Sequence, residues 1–225
     1  MKAERCYLDH NATTPLREEA RAAMVAAMDV VGNPSSVHSE GRKAKMLVEK
    51  ARVQVAALVG CLPTQVIFTG SATEAAALAV AQKVRHGGVF AALPTEHDCL
   101  LAWSDPALVQ PKWRLGAHWA TRMMDWCTAA QILVTEGEAL IAWSAANSET
   151  GILGSENGVP GEATAHFLKG NGKVIFTVIS DITQMAGKMP INFGTVKPAY
   201  MILSGHKIGG PKGVGAFINL TKDDP

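Results

Sequence analysis

Five polar clusters in this chain each follow a short apolar run, and each carries groups that bind anions, hold protons or attack carbonyls. Gly70-Ser71-Ala72-Thr73-Glu74 is a small-residue turn opening a helical stretch on Ser/Thr. Free backbone N–H groups and the positive end of a helix dipole at such a start suit a phosphate; an ordinary N-cap reads the same way. Ser204-Gly205-His206-Lys207 leads into Ile208-Gly209-Gly210-Pro211-Lys212-Gly213. A Walker-type phosphate loop is excluded, because Pro211 stands where the lysine is needed. What remains is Lys207 at a strand end, between imidazole and glycines. A lysine in a protected site loses its proton and forms Schiff bases with carbonyls, whereas a solvated loop lysine does not.

Asp181 follows the apolar run Val174–Ser180, which places it on the floor of a crevice, where a carboxylate needs a cationic partner; capping the next turn is the alternative. His97 is suited to lie on an aromatic ring or to move a proton, or to be a structural histidine. Asn147 and Gln184 offer amides to a ring oxygen, or ordinary loop hydrogen bonds. Singly these signals are weak. Together an anion pocket, a Schiff-base lysine, a carboxylate for a pyridinium nitrogen, a stacking imidazole and amide donors describe the needs of pyridoxal 5′-phosphate.

The elements that must position these groups are legible as period and run length. Apolar runs at Val66–Thr69, Val89–Leu93, Leu140–Ser144, Val174–Ser180, Tyr200–Leu203 and Val214–Leu220 are continuous rather than alternating, as in strands buried on both faces. Helical spacing over Leu16–Val31, Ala44–Val59 and Thr73–Arg85 lies before and between them. The expectation is an α/β fold with a mostly parallel sheet between helices. In such sheets ligands bind beyond the carboxyl ends of the strands, where the five clusters fall.

Composition narrows the function classes. The 225 residues are 48% hydrophobic and 18% charged, with 21 basic and 20 acidic residues for a net charge of +1. Disorder needs the opposite balance. Near-neutrality gives no electrostatic case for nucleic acid or an anionic membrane surface, and no apolar run reaches the ~20 residues of a spanning helix. The start Met1-Lys2-Ala3-Glu4-Arg5-Cys6 lacks a secretory apolar stretch, so a cytoplasmic, reducing compartment is expected. Cys6, Cys61, Cys99 and Cys127 form no C-x-x-C and have no histidine at zinc spacing, so no metal site is expected and the thiols read as free. The length suggests a domain and a half.

The chain resembles the cysteine desulfurase family, in the class V aminotransferase group of fold-type I pyridoxal phosphate enzymes. The resemblance rests on Tyr7-Leu8-Asp9-His10-Asn11-Ala12-Thr13-Thr14-Pro15, Gly32-Asn33-Pro34-Ser35-Ser36-Val37-His38-x-x-Gly41-Arg42, Phe68–Glu74, His97, Ala146–Gly151, Asp181-x-x-Gln184-x-x-Gly187-Lys188 and Ser204–Gly215. It implies that Lys207 carries the cofactor and that His97 stacks on its ring and assists proton transfer. Asp181 then pairs with the ring nitrogen and Gln184 with the ring hydroxyl. Ala72, Thr73, Ser204 and His206 hold the phosphate, and Asn147 contacts cofactor or substrate. The implied reaction passes sulfur from L-cysteine to an enzyme cysteine as a persulfide, leaving L-alanine, in a homodimer that serves an iron–sulfur scaffold protein.

The sequence departs from the family at Gly70-Ser71, where Ser-Gly is usual, at Ser148 in place of a second Asn, and at Ser180 in place of His. None of its four cysteines matches the family's nucleophile, since all precede Lys207. The expected organisation is an N-terminal arm at 1–15 and a cofactor-binding large domain at 16–225, without the small C-terminal domain that carries the persulfide cysteine and a carboxylate-binding arginine. The alternatives are a non-catalytic pyridoxal phosphate-binding scaffold, or another class V activity.

Overall fold

A computed structural model describes residues 6–86, 88–93, 95–104, 137–153, 174–191 and 197–221. Its centre is a six-stranded sheet. In chain order the strands are β1 (Val66–Thr69), β2 (Phe90–Ala92), β3 (Gly137–Ser144), β4 (Val174–Asp181), β5 (Tyr200–Ser204) and β6 (Gly215–Asn219), and in space they lie β1-β6-β5-β4-β3-β2. The β2–β3, β3–β4 and β4–β5 pairs are parallel, and β6 is antiparallel to both β5 and β1. Strands β1 to β5 therefore all run one way, and β6 alone is reversed. One edge of the sheet gathers the carboxyl ends of five strands, and with them all five polar clusters.

Burial explains why the strand runs are continuous. Along β5, Tyr200 and Ile202 belong to one core cluster, with Phe90, Leu140, Ile179 and Phe217. Met201 and Leu203 belong to another, with Val66, Ile182, Met185 and Ile218. Both faces are covered, so alternate positions are equally apolar.

Helix α3 (Ala72–Ala81) seals the first cluster with Ala75, Ala76 and Ala79, all fully buried. Small side chains let the helix lie close to the sheet. The approach is tight at β6, where a Cβ on Gly215 would come within 2.5 Å of the Ser71 carbonyl carbon. Helix α2 (Ser39–Val59) covers the second cluster with Ala56 and Val59 only at its C-terminal end, which stops at Gly60 in the left-handed conformation (φ 72°).

Three local features differ from the sequence expectation. Helix α1 is shorter, Glu18–Met28, and buries no residue. Its apolar stripe satisfies the helical period, yet Val25, Met28 and nearby Val31 are 58%, 75% and 81% exposed, because no described element covers that face. The third helix gives way to a 3₁₀ turn at Gln82–Arg85. A one-turn helix α4 (Asp98–Leu101) follows His97, too short for any periodicity to reveal. The Gly32–Gly41 motif has a local role: His38 Nδ1 accepts from the Gly41 amide at the start of α2, and a Cβ on Gly41 would meet the Ser36 carbonyl oxygen at 2.3 Å.

Candidate active site

At the shared carboxyl edge lies a cavity of about 310 Å³. Its lining includes Ala72 and Thr73 at the start of α3, His97 just before α4 and Cys99 within it, Asp181 at the end of β4 with Thr183 and Gln184 beyond it, and Ser204 at the end of β5 with His206 and Lys207 beyond it. Eight of the nine residues singled out from the sequence thus meet in one place, brought from segments far apart in the chain.

Each is set by its local chain. Ser71 caps α3, its Oγ accepting from the Glu74 amide at 3.1 Å, while Glu74 Oε2 accepts from the Gly70 amide at 2.6 Å. The cap leaves the amides of Ala72 and Thr73 at the open start of the helix, ahead of its own hydrogen-bond ladder. Asp181 closes β4 and is buried. Its Oδ1 accepts from the Thr183 amide at 2.9 Å. The Thr183 hydroxyl is also buried, and the Thr183 side chain acts on the same carboxylate. Burial raises the affinity of Asp181 for a proton, while Thr183, His97 and Lys207 oppose that rise.

His97 caps α4, its Nδ1 accepting from the Cys99 amide at 3.1 Å. The neutral ring therefore carries its proton on Nε2, the nitrogen left for the cavity. His206 Nδ1 shares a 3.0 Å hydrogen bond with Thr13 Oγ1. Burial, Lys207 and Lys212 together hold its ring below the usual histidine range.

Residues 9–17 lie over the lysine turn. The Thr14 amide donates to the His206 carbonyl at 2.9 Å, and Thr14 Oγ1 to that of Lys207 at 2.9 Å. The Asn11 carbonyl accepts from both Lys207 Nζ and Gln184 Nε2, and Asn11 Nδ2 donates to the Ser148 carbonyl. Lys188 Nζ donates to Gln184 Oε1 at 2.8 Å, completing a chain of polar contacts from Lys188 to Lys207.

Asn147 stands outside the cavity lining. Its Nδ2 donates to the Thr95 carbonyl at 2.8 Å, and its Oδ1 accepts from the amides of Glu149 and Thr150 and from the Thr150 hydroxyl. The amide thus ties the loop after β3 to the turn after β2. The sequence did not single out Asn11, Glu96, Cys99, Thr183 or Lys212 for the site. Asn11 belongs to the Tyr7–Pro15 motif and Glu96 stands beside His97; nothing local marks Cys99 or Thr183.

The cysteines separate by environment. Cys99 is buried in the cavity wall, and burial together with the nearby Asp181 and Glu96 carboxyls pushes its thiol up to about 12. Burial pushes Cys61 up to about 11. Neither is a thiolate near neutral pH. Cys127 lies outside the described residues. Among the described residues no three His, Cys, Asp or Glu side chains group as a metal site, and no helix is long and apolar enough to cross a membrane.

The donor set fits pyridoxal phosphate: an amine for its aldehyde, a buried carboxylate for its ring nitrogen, and open helix amides with cations for its phosphate. The architecture is that of the fold-type I pyridoxal phosphate enzymes. A solved NifS-like protein superposes with a TM-score of 0.74 at 25% identity, over 98% of this chain and 60% of that one. A cysteine desulfurase from Thermococcus onnurineus NA1, at 21% identity, shares the fold with a TM-score of 0.72, over 95% of this chain and 53% of that one.

The family model described as Aminotransferase class-V matches residues 6–222. The chain belongs to the class V aminotransferase family. Its relatives include a cysteine desulfurase of Frankia sp. (strain EuIK1), 32% identical over 96% of this chain and 53% of that protein. An IscS-like cysteine desulfurase of Mycobacterium tuberculosis is 33% identical over 96% of this chain and 56% of that protein. The chain spans about half the length of these curated relatives.

Proposed function

We propose that this chain is the cofactor-binding part of a pyridoxal phosphate-dependent cysteine desulfurase, acting on L-cysteine. The observation that carries the reading is the meeting of Lys207, buried Asp181 and the open start of α3 in one cavity. Pyridoxal phosphate bound there supplies an electron sink for cleaving a bond of an amino acid substrate. Lys207 would hold it through its amine and would take up and return protons at Nζ. Asp181 holds the ring nitrogen's proton. The amides of Ala72 and Thr73, with Ser204 and His206, bind the phosphate, and Gln184 offers its amide to the ring hydroxyl. His97, with its proton on Nε2, stacks and moves a proton at the substrate. Asn147 positions the β3 loop beside them.

Sulfur transfer also needs a thiolate to take the sulfur atom, since cleavage leaves alanine. Cys61 and Cys99 are unsuited to this, and we assign that role to neither. The same fact supports a second reading, a non-catalytic protein that binds the cofactor and serves as a scaffold. As further parts of the proposal, residues 1–15 form an arm on a large domain at 16–225, and the protein is a cytoplasmic homodimer that hands sulfur to an iron–sulfur scaffold protein.

Adding pyridoxal phosphate should produce an absorbance band near the visible edge that is absent in Lys207→Ala. Identical spectra from the two proteins would reject the lysine assignment. Release of sulfide or alanine from L-cysteine separates the two readings: the enzyme reading expects turnover only when a C-terminal segment bearing a reactive cysteine is supplied, and the scaffold reading expects none with that segment or without it.

A further inference from the structure

Glu96 is a carboxyl group the site does not account for. It is 3% exposed, in the turn between β2 and His97. Its hydrogen-bonding partner is the Ser144 hydroxyl, which donates to Oε2. Ser144 ends β3, lines the cavity, and pairs in register with Asp181 on β4. Two buried carboxyls thus lie at the ends of neighbouring segments beneath one cavity.

Two such groups cannot both ionise without a cation between them. Their surroundings decide which one does. Asp181 has the Thr183 amide and hydroxyl, His97 and Lys207 to stabilise its charge. Among the described residues, Glu96 has the Ser144 side chain and backbone to stabilise its charge, while Asp181 repels it. Of the other titratable groups nearby, Cys99 is itself held neutral, and Asp98 is a further acid rather than a counter-charge.

We propose that Glu96 is a positioning residue of the cofactor site, the neutral member of a buried carboxyl pair that keeps the negative charge on Asp181 and fixes Ser144 in the cavity wall. The proposal rests on the cofactor reading given above. Burial, only partly offset by Ser144, and the charge on Asp181 push the Glu96 carboxyl up to about 7, in agreement with this asymmetry. The turn before His97 then sets which state Asp181 presents to a ring nitrogen, and ionisation of Glu96 above neutrality adds a second negative charge beneath that ring.

The test uses the 225-residue chain and two readouts. In the first, denaturant unfolding is followed by circular dichroism from pH 4.5 to 8. The unfolded chain releases the Glu96 proton in the ordinary carboxylate range, and the folded chain keeps it until about pH 7. The unfolded state binds fewer protons over that window, so stability falls as pH rises through it and then levels off. Glu96→Gln, neutral throughout, should remove about two orders of magnitude of that fall in the folding constant. Ser144→Ala strips away the hydroxyl that favours the charged form, and should carry the end of the fall to higher pH. Equal pH slopes for wild type and Glu96→Gln, or an unmoved window in Ser144→Ala, overturn the proposal.

In the second readout, the band formed with pyridoxal phosphate is titrated from pH 6 to 9. Wild type should show a transition near pH 7, and Glu96→Gln should match wild type at pH 6 without that transition. The same transition in both proteins overturns the proposal while leaving the cofactor reading intact. A wild-type chain that forms no band rejects the cofactor reading, and the unfolding series still decides the state of Glu96.

Discussion

At the residue scale, the cavity works by contrast between environments. Lys207 and Asp181 are opposite charges within electrostatic reach, and Asp181 keeps two Thr183 groups beside it. Asp181→Asn preserves the shape but loses the charge a pyridinium nitrogen needs. It should weaken pyridoxal phosphate capture at least tenfold, measured by absorbance titration, while leaving the melting temperature level or raised, because a desolvated carboxylate is removed. A Kd equal to wild type would deny Asp181 that role. Cys99→Ser should leave any sulfide release within twofold of wild type, since a thiol held up to about 12 is no nucleophile at neutral pH. Abolished release in a folded Cys99→Ser protein would restore it as the sulfur carrier. Much of this site was legible in the sequence, because Lys207 and Asp181 each follow an apolar run whose direction and burial could be inferred. The pairing of Glu96 with Ser144 was not legible. It depends on the register of β3 against β4 and on the course of the β2 turn, and neither is written in the residues around position 96. Asn147 is ambiguous for a related reason: an amide at a strand end looks the same whether it faces a ligand or ties two loops.

At the element scale, the strands were legible because burial on both faces makes them continuous apolar runs, and five of the six share a direction. The reversal of β6 was not, since an apolar run carries no sign for parallel or antiparallel pairing. Its structural mark is Gly215, which pairs with Thr69 on β1 and with Ser204 on β5. A side chain there would press into the Ser71 and Ala72 backbone at 2.5–2.9 Å, and backbone cannot rotate away as a flexible side chain can. Gly215→Ala should cost about 1–3 kcal/mol, in the range of overpacked cores. It should also weaken phosphate binding by displacing the start of α3. Thermal unfolding and phosphate protection of the melting temperature check both effects, and an unchanged melting temperature would show that α3 yields freely. The stripe on α1 was legible as a period but not as burial, because a 3.6-residue repeat reports a face and says nothing of what covers it.

At the scale of the whole molecule, the described residues form a two-sided core at one end of which the first two helices stand largely exposed. Val25, Met28 and Val31 contribute nothing to that core. Replacing Val25 and Met28 with Lys should shift stability within about ±0.5 kcal/mol per site while lowering light scattering at high protein concentration, as an exposed apolar patch favours association. A fall of many degrees in melting temperature would mean that these side chains are buried in solution. The position of β6 has a consequence in time as well as in space. Strand β1 and the start of α3 are synthesised early, but β1 has β6 as its neighbour in the sheet, with Val66 facing Ile218 and Thr69 facing Gly215. On the ribosome, where the chain emerges N-terminus first, the strand that leads into the Gly70–Thr73 turn lacks its sheet partner while β2, β3, β4 and β5 are made. The lysine turn and the strand that locks β1 follow those four strands together. The open start of α3 and the Lys207 turn are therefore brought to one sheet edge only once β6 has paired with both β1 and β5.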